Sequence, residues 1–330
     1  MHIPDNYLSP STCVVKTAAT IPAWVHSVKK VKAEIPKEKM VLLGVGAAFS
    51  FLGMMFNLPL PGGTTGHAVG GTLIALLLGP EAACIAVTIA LLVQALLFGD
   101  GGILAFGANC FNMAFVLPYV GYYSYTAICR AMGVSSRNDS PALSGGRSKQ
   151  LVAAGIGSYL GINAAALMAA IEFGIQPLLF KAADGTPLYC PYDLSISIPA
   201  MMIGHLTIFG LAEVIFTVAI YAFVAKTTHG DFYNSKETKR SPVFILIAVL
   251  IVATPLGLLA AGDAWGEWDI AEIPTMKESI SWSSLFPDYT VGNMPEWIGY
   301  ILSAVIGVAI VIILFRIIAA TMKTTTDYDK

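Results

Sequence analysis

Charge is scarce in this sequence. Asp, Glu, Lys and Arg together supply 12% of its 330 residues, against 56% hydrophobic, too little polar surface for a soluble globular chain. No stretch alternates apolar and polar residues with the period of two that a membrane barrel needs. Basic tracts are missing as well, and with a net charge of −2 nucleic acid is a poor candidate partner. The five cysteines, Cys13, Cys84, Cys110, Cys129 and Cys190, contain no C-x-x-C pair and sit mostly in apolar segments, which reads as core packing rather than disulfides or metal ligation. The phosphate-loop pattern G-x-x-x-x-G-K-[S/T] does not occur, so any ATP hydrolysis belongs to other chains. H-E-x-x-H is also absent, which argues against a membrane metallohydrolase. There is no internal repeat of the kind that builds the inverted halves of many secondary transporters. The first residues lack the basic, apolar and small-residue order of a cleavable signal, and Met1 is expected to be the mature terminus.

What remains is mostly long apolar runs. MVLLGVGAAFSFLGMMF, FILIAVLIVATPLGLLAA and IGYILSAVIGVAIVIILFRII are each long enough, or nearly so, to cross a hydrocarbon layer of roughly 30 Å as helices. The pattern predicts an all-α integral membrane protein of about nine spans, near residues 10–28, 40–57, 66–79, 81–98, 106–129, 150–173, 197–225, 242–261 and 297–319. The first span is weak and the third short. Lys and Arg collect in 29–39, 130–149 and 226–240 and near the C-terminus at Arg316 and Lys323, which places those segments in the cytoplasm. The glycine-rich or acidic segments NLPLPGGTTGH, FGDGGILAFGAN, KAADGTPLYCPYD and 262–297 then lie outside. So does the N-terminus. Trp265, Trp268 and Trp297 fall at outer boundaries and read as interfacial anchors.

The orientation brings the opening MHIPDN to the same face as His67 and the loop carrying Asp100 and Asn109. A chain that begins X-His offers one ion three nitrogens: the terminal amine, the deprotonated His2 amide and the imidazole Nδ1. Two fused chelate rings hold them nearly coplanar, and His67 is the natural fourth donor. Four nitrogens in a plane suit Ni(II) or Cu(II), whereas Zn(II) favours a tetrahedron and Mg(II) oxygen. Deprotonating an amide is costly, and metals high in the Irving–Williams order repay it most readily. The bulky His2 side chain is also expected to hinder removal of the initiator methionine. A solvated terminal residue, for His2, and a histidine capping a helix from Ala68, for His67, are the plain alternatives. Both histidines on one face, beside a glycine-rich loop, weigh toward the metal.

Other residues invite roles around such a site. Asn109 and Asn112 lie three apart, so on one helical face, and can bond the N-terminal segment or the second nitrogen of an imidazole, as can Thr65; helix capping is the alternative for Asn109. His205 and Glu213, eight apart in an apolar span, and Glu172 in another, form either a transit path or packing pairs. Ala153, Gly157, Gly161 and Ala165 make a small-residue ridge for close helix packing, within the chain or against another subunit.

With MHIPDNYLSP, GTTGHAVGG, FGDGGILAFGAN and GHLTIFGLAEVIFT in view, the chain resembles the CbiM/NikM family, the substrate-binding membrane components of energy-coupling factor transporters for cobalt and nickel. The likeness covers residues 1–228 with seven spans. It implies that Met1, His2 and His67 hold the ion, that Ni(II) or Co(II) is the transported substrate and no cofactor is needed, and that the partners are a transmembrane scaffold subunit and two ATPases. The chain itself is then a transporter subunit in the cell membrane, not an enzyme. Residues 229–241 read as a cytoplasmic linker, and 242–330 resemble the two-span auxiliary subunit of nickel systems, fused as in the NikMN arrangement, which favours nickel. The alternatives are a cobalt-specific homologue supplying cobalamin synthesis and a proton-coupled secondary transporter using Glu172, His205 and Glu213. The chain departs from the family pattern at Asp5-Asn6-Tyr7, where glutamate, glycine and phenylalanine are expected. The acids Asp263, Glu267 and Asp269 of the long outer loop are expected to attract cations.

Overall fold

A computed structural model describes residues 1–37, 40–60, 64–136, 144–227, 241–260, 263–268, 273, 276, 278–280 and 282–321. The expected linker 229–241, apart from Ser241, as well as Asp269 and Lys323, lie outside the described residues. Among the described residues, nine helical segments stand where nine spans are predicted, and the protein is an all-α, multi-pass membrane protein. Five of the helices are long and apolar enough to cross a membrane: α4 (Pro80–Phe98), α6 (Gly146–Leu179), α7 (Leu194–Lys226), α8 (Pro242–Leu259) and α9 (Glu296–Thr321). The shorter α2 (Met40–Met55) is buried on nearly every side, packed between α4 and α9.

Local chemistry sets the boundaries. α1 (Pro10–Glu34) starts behind Ser9, whose hydroxyl accepts from Thr12 N at 3.1 Å, with Pro10 in the first turn. It ends where Ile35 turns extended ahead of Pro36. A two-stranded hairpin, β1 (Leu58–Leu60) with β2 (Thr64–Gly66), pairs Pro59 with Thr65. It leads through extended chain to α3 (Gly71–Leu78), the short third span. α5 comprises Phe106–Asn109, a wide π-type stretch Cys110–Val116, and Leu117–Ala131. Similar π turns occur at Gln94–Phe98 in α4 and His205–Phe209 in α7. Such turns cost backbone regularity and recur beside functional sites.

The small-residue ridge on α6 is used within the chain. Gly157 lies against the Gly121 carbonyl and Tyr125, and Gly161 against the Leu117 carbonyl, so α5 and α6 touch backbone to backbone. All four ridge residues are buried, which takes them out of play as a docking surface. Trp265 and Trp268 also differ from expectation. They turn inward, packing with Tyr192 and Phe173 at ring separations of 5.5–6.0 Å. Of the three expected anchors, only Trp297 is largely exposed, at 56%.

Candidate metal centre

Residues 1–9 form a strap drawn into one end of the bundle, with Met1, His2, Ile3, Tyr7 and Leu8 all buried. Almost every residue is tied. Asn109 clamps Ile3 with both ends of its amide, accepting from Ile3 N at 2.8 Å and donating to Ile3 O at 3.0 Å. The Asp5 carboxylate accepts from Ile103 N and Leu104 N at 3.0 and 2.7 Å, just ahead of α5, where amide donors point outward. Ser9 N donates to Gln176 of α6 at 3.0 Å.

The departures at residues 6 and 7 face the C-terminal part of the chain. Asn6 has φ 73°, a conformation glycine takes freely and asparagine tolerates. Its amide accepts from Ser279 N and Ile280 N and donates to Ile280 O. Tyr7 adds a hydroxyl that donates to Trp268 O at 3.0 Å.

At the tip, His2 Nδ1 and His67 Nε2 stand 3.1 Å apart although 65 residues separate them in sequence. His67 Nδ1 lies 3.2 Å from Ala68 O; an N–H donated there leaves the Nε2 lone pair pointing at His2. The Met1 amine is 2.7 Å from Glu267 Oε1, and Asp100 Oδ1 is 3.1 Å from His2 Nδ1. Burial drives His2 down to about 4, with the terminal amine pushing the same way and Glu267 and Gln94 opposing. Burial, then the charge His2 would carry, holds His67 well below the usual histidine range. Both rings are therefore neutral at pH 7, and the His2–Asp100 contact is a hydrogen bond rather than an ion pair. Burial raises Asp100, opposed by the Tyr289 hydroxyl, which donates to its Oδ2 at 2.5 Å. His2 Nε2 and Gln94 Oε1 are buried without a full hydrogen bond.

A cavity of about 310 Å³ opens over this cluster, lined among others by Thr65, Asp100, Asp263, Glu267, Asp288 and Tyr289. Sequence reasoning paired neither Asp100 nor Glu267 with the histidines. Both acids were in view, Asp100 in a loop sharing a face with the histidines and Glu267 among the acids expected to attract cations, but no spacing set either one beside the ring nitrogens. The other expected residues disperse. Asn112 donates to Glu172 at 2.9 Å, and Glu172 is held by Lys16 at 2.5 Å. His205 turns Nδ1 toward Met201 O at 2.8 Å. Glu213 accepts from Val69 N and Gly70 N. Among the described residues, Glu172, His205 and Glu213 have separate partners and form no chain with one another.

Fold and centre define a multi-pass helical membrane protein in which two neutral imidazoles, His2 of the N-terminal strap and His67, line one cavity with four acids, Asp100, Asp263, Glu267 and Asp288. Residues 2–230 match the family model described as cobalt uptake substrate-specific transmembrane region (CbiM), and residues 239–324 match the PDGLE domain. The chain belongs to the CbiM/NikM family. It is 43% identical, over 94% of its length and 95% of the relative's, to the fused nickel transport protein NikMN of Rhodobacter capsulatus. A protein of Lactiplantibacillus plantarum named "Probable fused nickel transport protein LarMN" is 46% identical over 96% of this chain and 97% of its own. A crystal structure of a transition metal transporter superposes with a TM-score of 0.62 at 49% identity, covering 69% of this chain and 94% of that one.

Proposed function

We propose that the protein is the substrate-capture component of an ATP-driven energy-coupling factor importer, binding Ni(II), with Co(II) as the alternative cargo, through the Met1 amine, the His2 amide nitrogen and Nδ1, and His67 Nε2. The observation that carries this is the 3.1 Å approach of two neutral, buried imidazole nitrogens beside the terminal amine. Metal–nitrogen bonds of roughly 2.0–2.1 Å separate neighbouring corners of a square by about 2.9 Å. A neutral His2 points its Nδ1–H at the His67 Nε2 lone pair and at Asp100, and an ion held by both nitrogens takes that proton's place as His2 shifts it to Nε2. Asn109 supports the strap from behind as an outer partner of the site.

The N-terminus faces outside and the C-terminus the cytoplasm in this reading. Residues 1–228 bind metal and 242–330 form an auxiliary part joined by the linker; a transmembrane scaffold subunit and two ATPases supply the power stroke. The names of the fused relatives favour nickel over cobalt. The separate partners of Glu172, His205 and Glu213 disfavour a proton relay through them.

Nickel added to the purified protein should give a yellow, diamagnetic complex, the signature of square-planar coordination; a paramagnetic green one would overturn the four-nitrogen plane. Uptake in cells should stop when the partner ATPases are inactivated, and uptake that continues would favour a secondary mechanism. The carboxylates of the cavity give a further expectation. Asp263→Asn with Glu267→Gln should slow nickel loading at low ionic strength and lose that effect in high salt, since steering by exposed charge is screened. Stopped-flow loading rates unaltered at low salt would remove the steering role.

A further inference from the structure

The segment that carries His67 has little of its own to hold it in place. Residues 67–70 run without regular structure between β2 and α3, and α3 starts behind Gly70, which has φ 72° and no side chain to cap the helix. Its leading amides need acceptors from elsewhere. Glu213, from α7 and 144 residues away from Val69, provides them. Oε2 accepts from Val69 N at 2.7 Å and Gly70 N at 3.0 Å, and Oε1 accepts from Gly70 N at 3.1 Å. The carboxylate is fully buried. A buried acid within a span is costly unless its oxygens are satisfied, and here amide donors and the positive end of α3 satisfy them.

The same stripe of α7 grips the segment on the other side of His67. The Phe209 ring occupies the space a side chain at Gly66 would need, and Phe216 lies against Gly70. His205, one turn before Phe209, packs edge-on against that ring at 5.2 Å. His67 thus hangs between two backbone points, residue 66 and residues 69–70, both fixed by α7.

We propose that Glu213 is a positioning residue for the metal centre, setting the place of His67 Nε2 and so closing the fourth coordination position. The role rests on the four-nitrogen site proposed above.

Nickel affinity measured by titration in detergent should fall about ten- to hundredfold in Glu213→Leu, the usual cost of losing an outer partner, and less in Glu213→Gln, which retains an acceptor oxygen. The visible band of the nickel complex should move toward that of His67→Ala. Built on His67→Ala, Glu213→Leu should bring no further loss, because residues acting through one contact are not additive. Gly66→Ala, whose methyl meets the Phe209 ring, should behave in the same way, and it carries the cycle with Glu213→Gln if Glu213→Leu does not give monodisperse protein. Equal losses with and without His67 would mark a role in folding alone and overturn the proposal, as would unchanged affinity in these variants. An extension of two residues ahead of Met1 separates the two readings. Nickel binding that survives it removes the site itself; binding lost there but insensitive to Glu213 and Gly66 removes only the positioning role.

Discussion

Adding two residues before Met1 should weaken nickel binding by more than about a hundredfold, beyond what loss of an outer partner alone costs. The extension removes no side chain. It turns the terminal amine into a peptide nitrogen and moves the free amine two residues away, one donor too far for four coplanar positions to hold both it and the His2 imidazole. A single added residue would not do this, because an amine two residues ahead of a histidine still closes fused chelate rings through the intervening amides. The strap should stay seated, because its ties at Ile3, Asp5, Asn6, Tyr7 and Ser9 lie beyond the change. The added residues have somewhere to go, since the cavity of about 310 Å³ opens directly over the site. What is lost is one nitrogen and, with it, the chelate that makes amide deprotonation favourable. Equilibrium dialysis of the extended and unextended proteins decides the matter: equal nickel occupancy at equal free metal would leave the terminal amine without a role.

The spans were legible because a membrane imposes a length and an apolar composition that survive in one dimension. The meeting of the N-terminus with His67 was legible for a different reason. Met1 and His2 are adjacent, so their geometry is covalent, and His67 could be brought to them by the charge bias of the loops without knowledge of any packing angle. The carboxylates were not. Asp100 and Glu267 reach the site only after α4 and the outer loop of the C-terminal part have folded over the strap, and no local pattern encodes a meeting across 265 residues of chain. Glu213 shows the complementary difficulty. Its spacing from His205 suggested a shared stripe, which is correct, but the sequence could not say that the stripe meets backbone amides rather than other ionisable groups. The tryptophans of the outer loop misled because an aromatic at a membrane boundary and an aromatic covering an N-terminal strap have the same sequence environment.

The strap explains why Asp5-Asn6-Tyr7 departs from the pattern of the family it otherwise follows. Asp5 keeps a carboxylate where one is expected and caps the chain ahead of α5. Asn6 and Tyr7 replace a glycine and a phenylalanine by residues with polar ends, and those ends meet Ile280 and Trp268 of the C-terminal part. Asparagine is among the few residues that tolerate the left-handed backbone at position 6 while offering an amide to a second segment.

Nickel affinity should rise by about a hundredfold per pH unit around neutrality, corresponding to about two protons released for each ion bound. The His2 amide must give up one. The Met1 ammonium, held 2.7 Å from Glu267, must give up the other. The imidazoles add none in this range, because burial has brought His2 down to about 4 and His67 well below its usual value, so both already present lone pairs. Were they ordinary histidines near 6.5, protons would compete for them as well below neutrality, and the dependence would steepen toward four protons per ion. The same lowering bears on the strap. A histidine protonates more readily when released than when buried here, so the closed strap is fully favoured above about 6.5 and loses that advantage as pH falls toward about 4. Acid therefore strips the metal first, through amine and amide, and loosens the strap afterwards, through the imidazoles. Calorimetric titrations in buffers of different ionisation enthalpy count the protons directly. A count near zero would mean that neither amine nor amide is a ligand, and a count near four that the imidazoles are not buried in the metal-free protein.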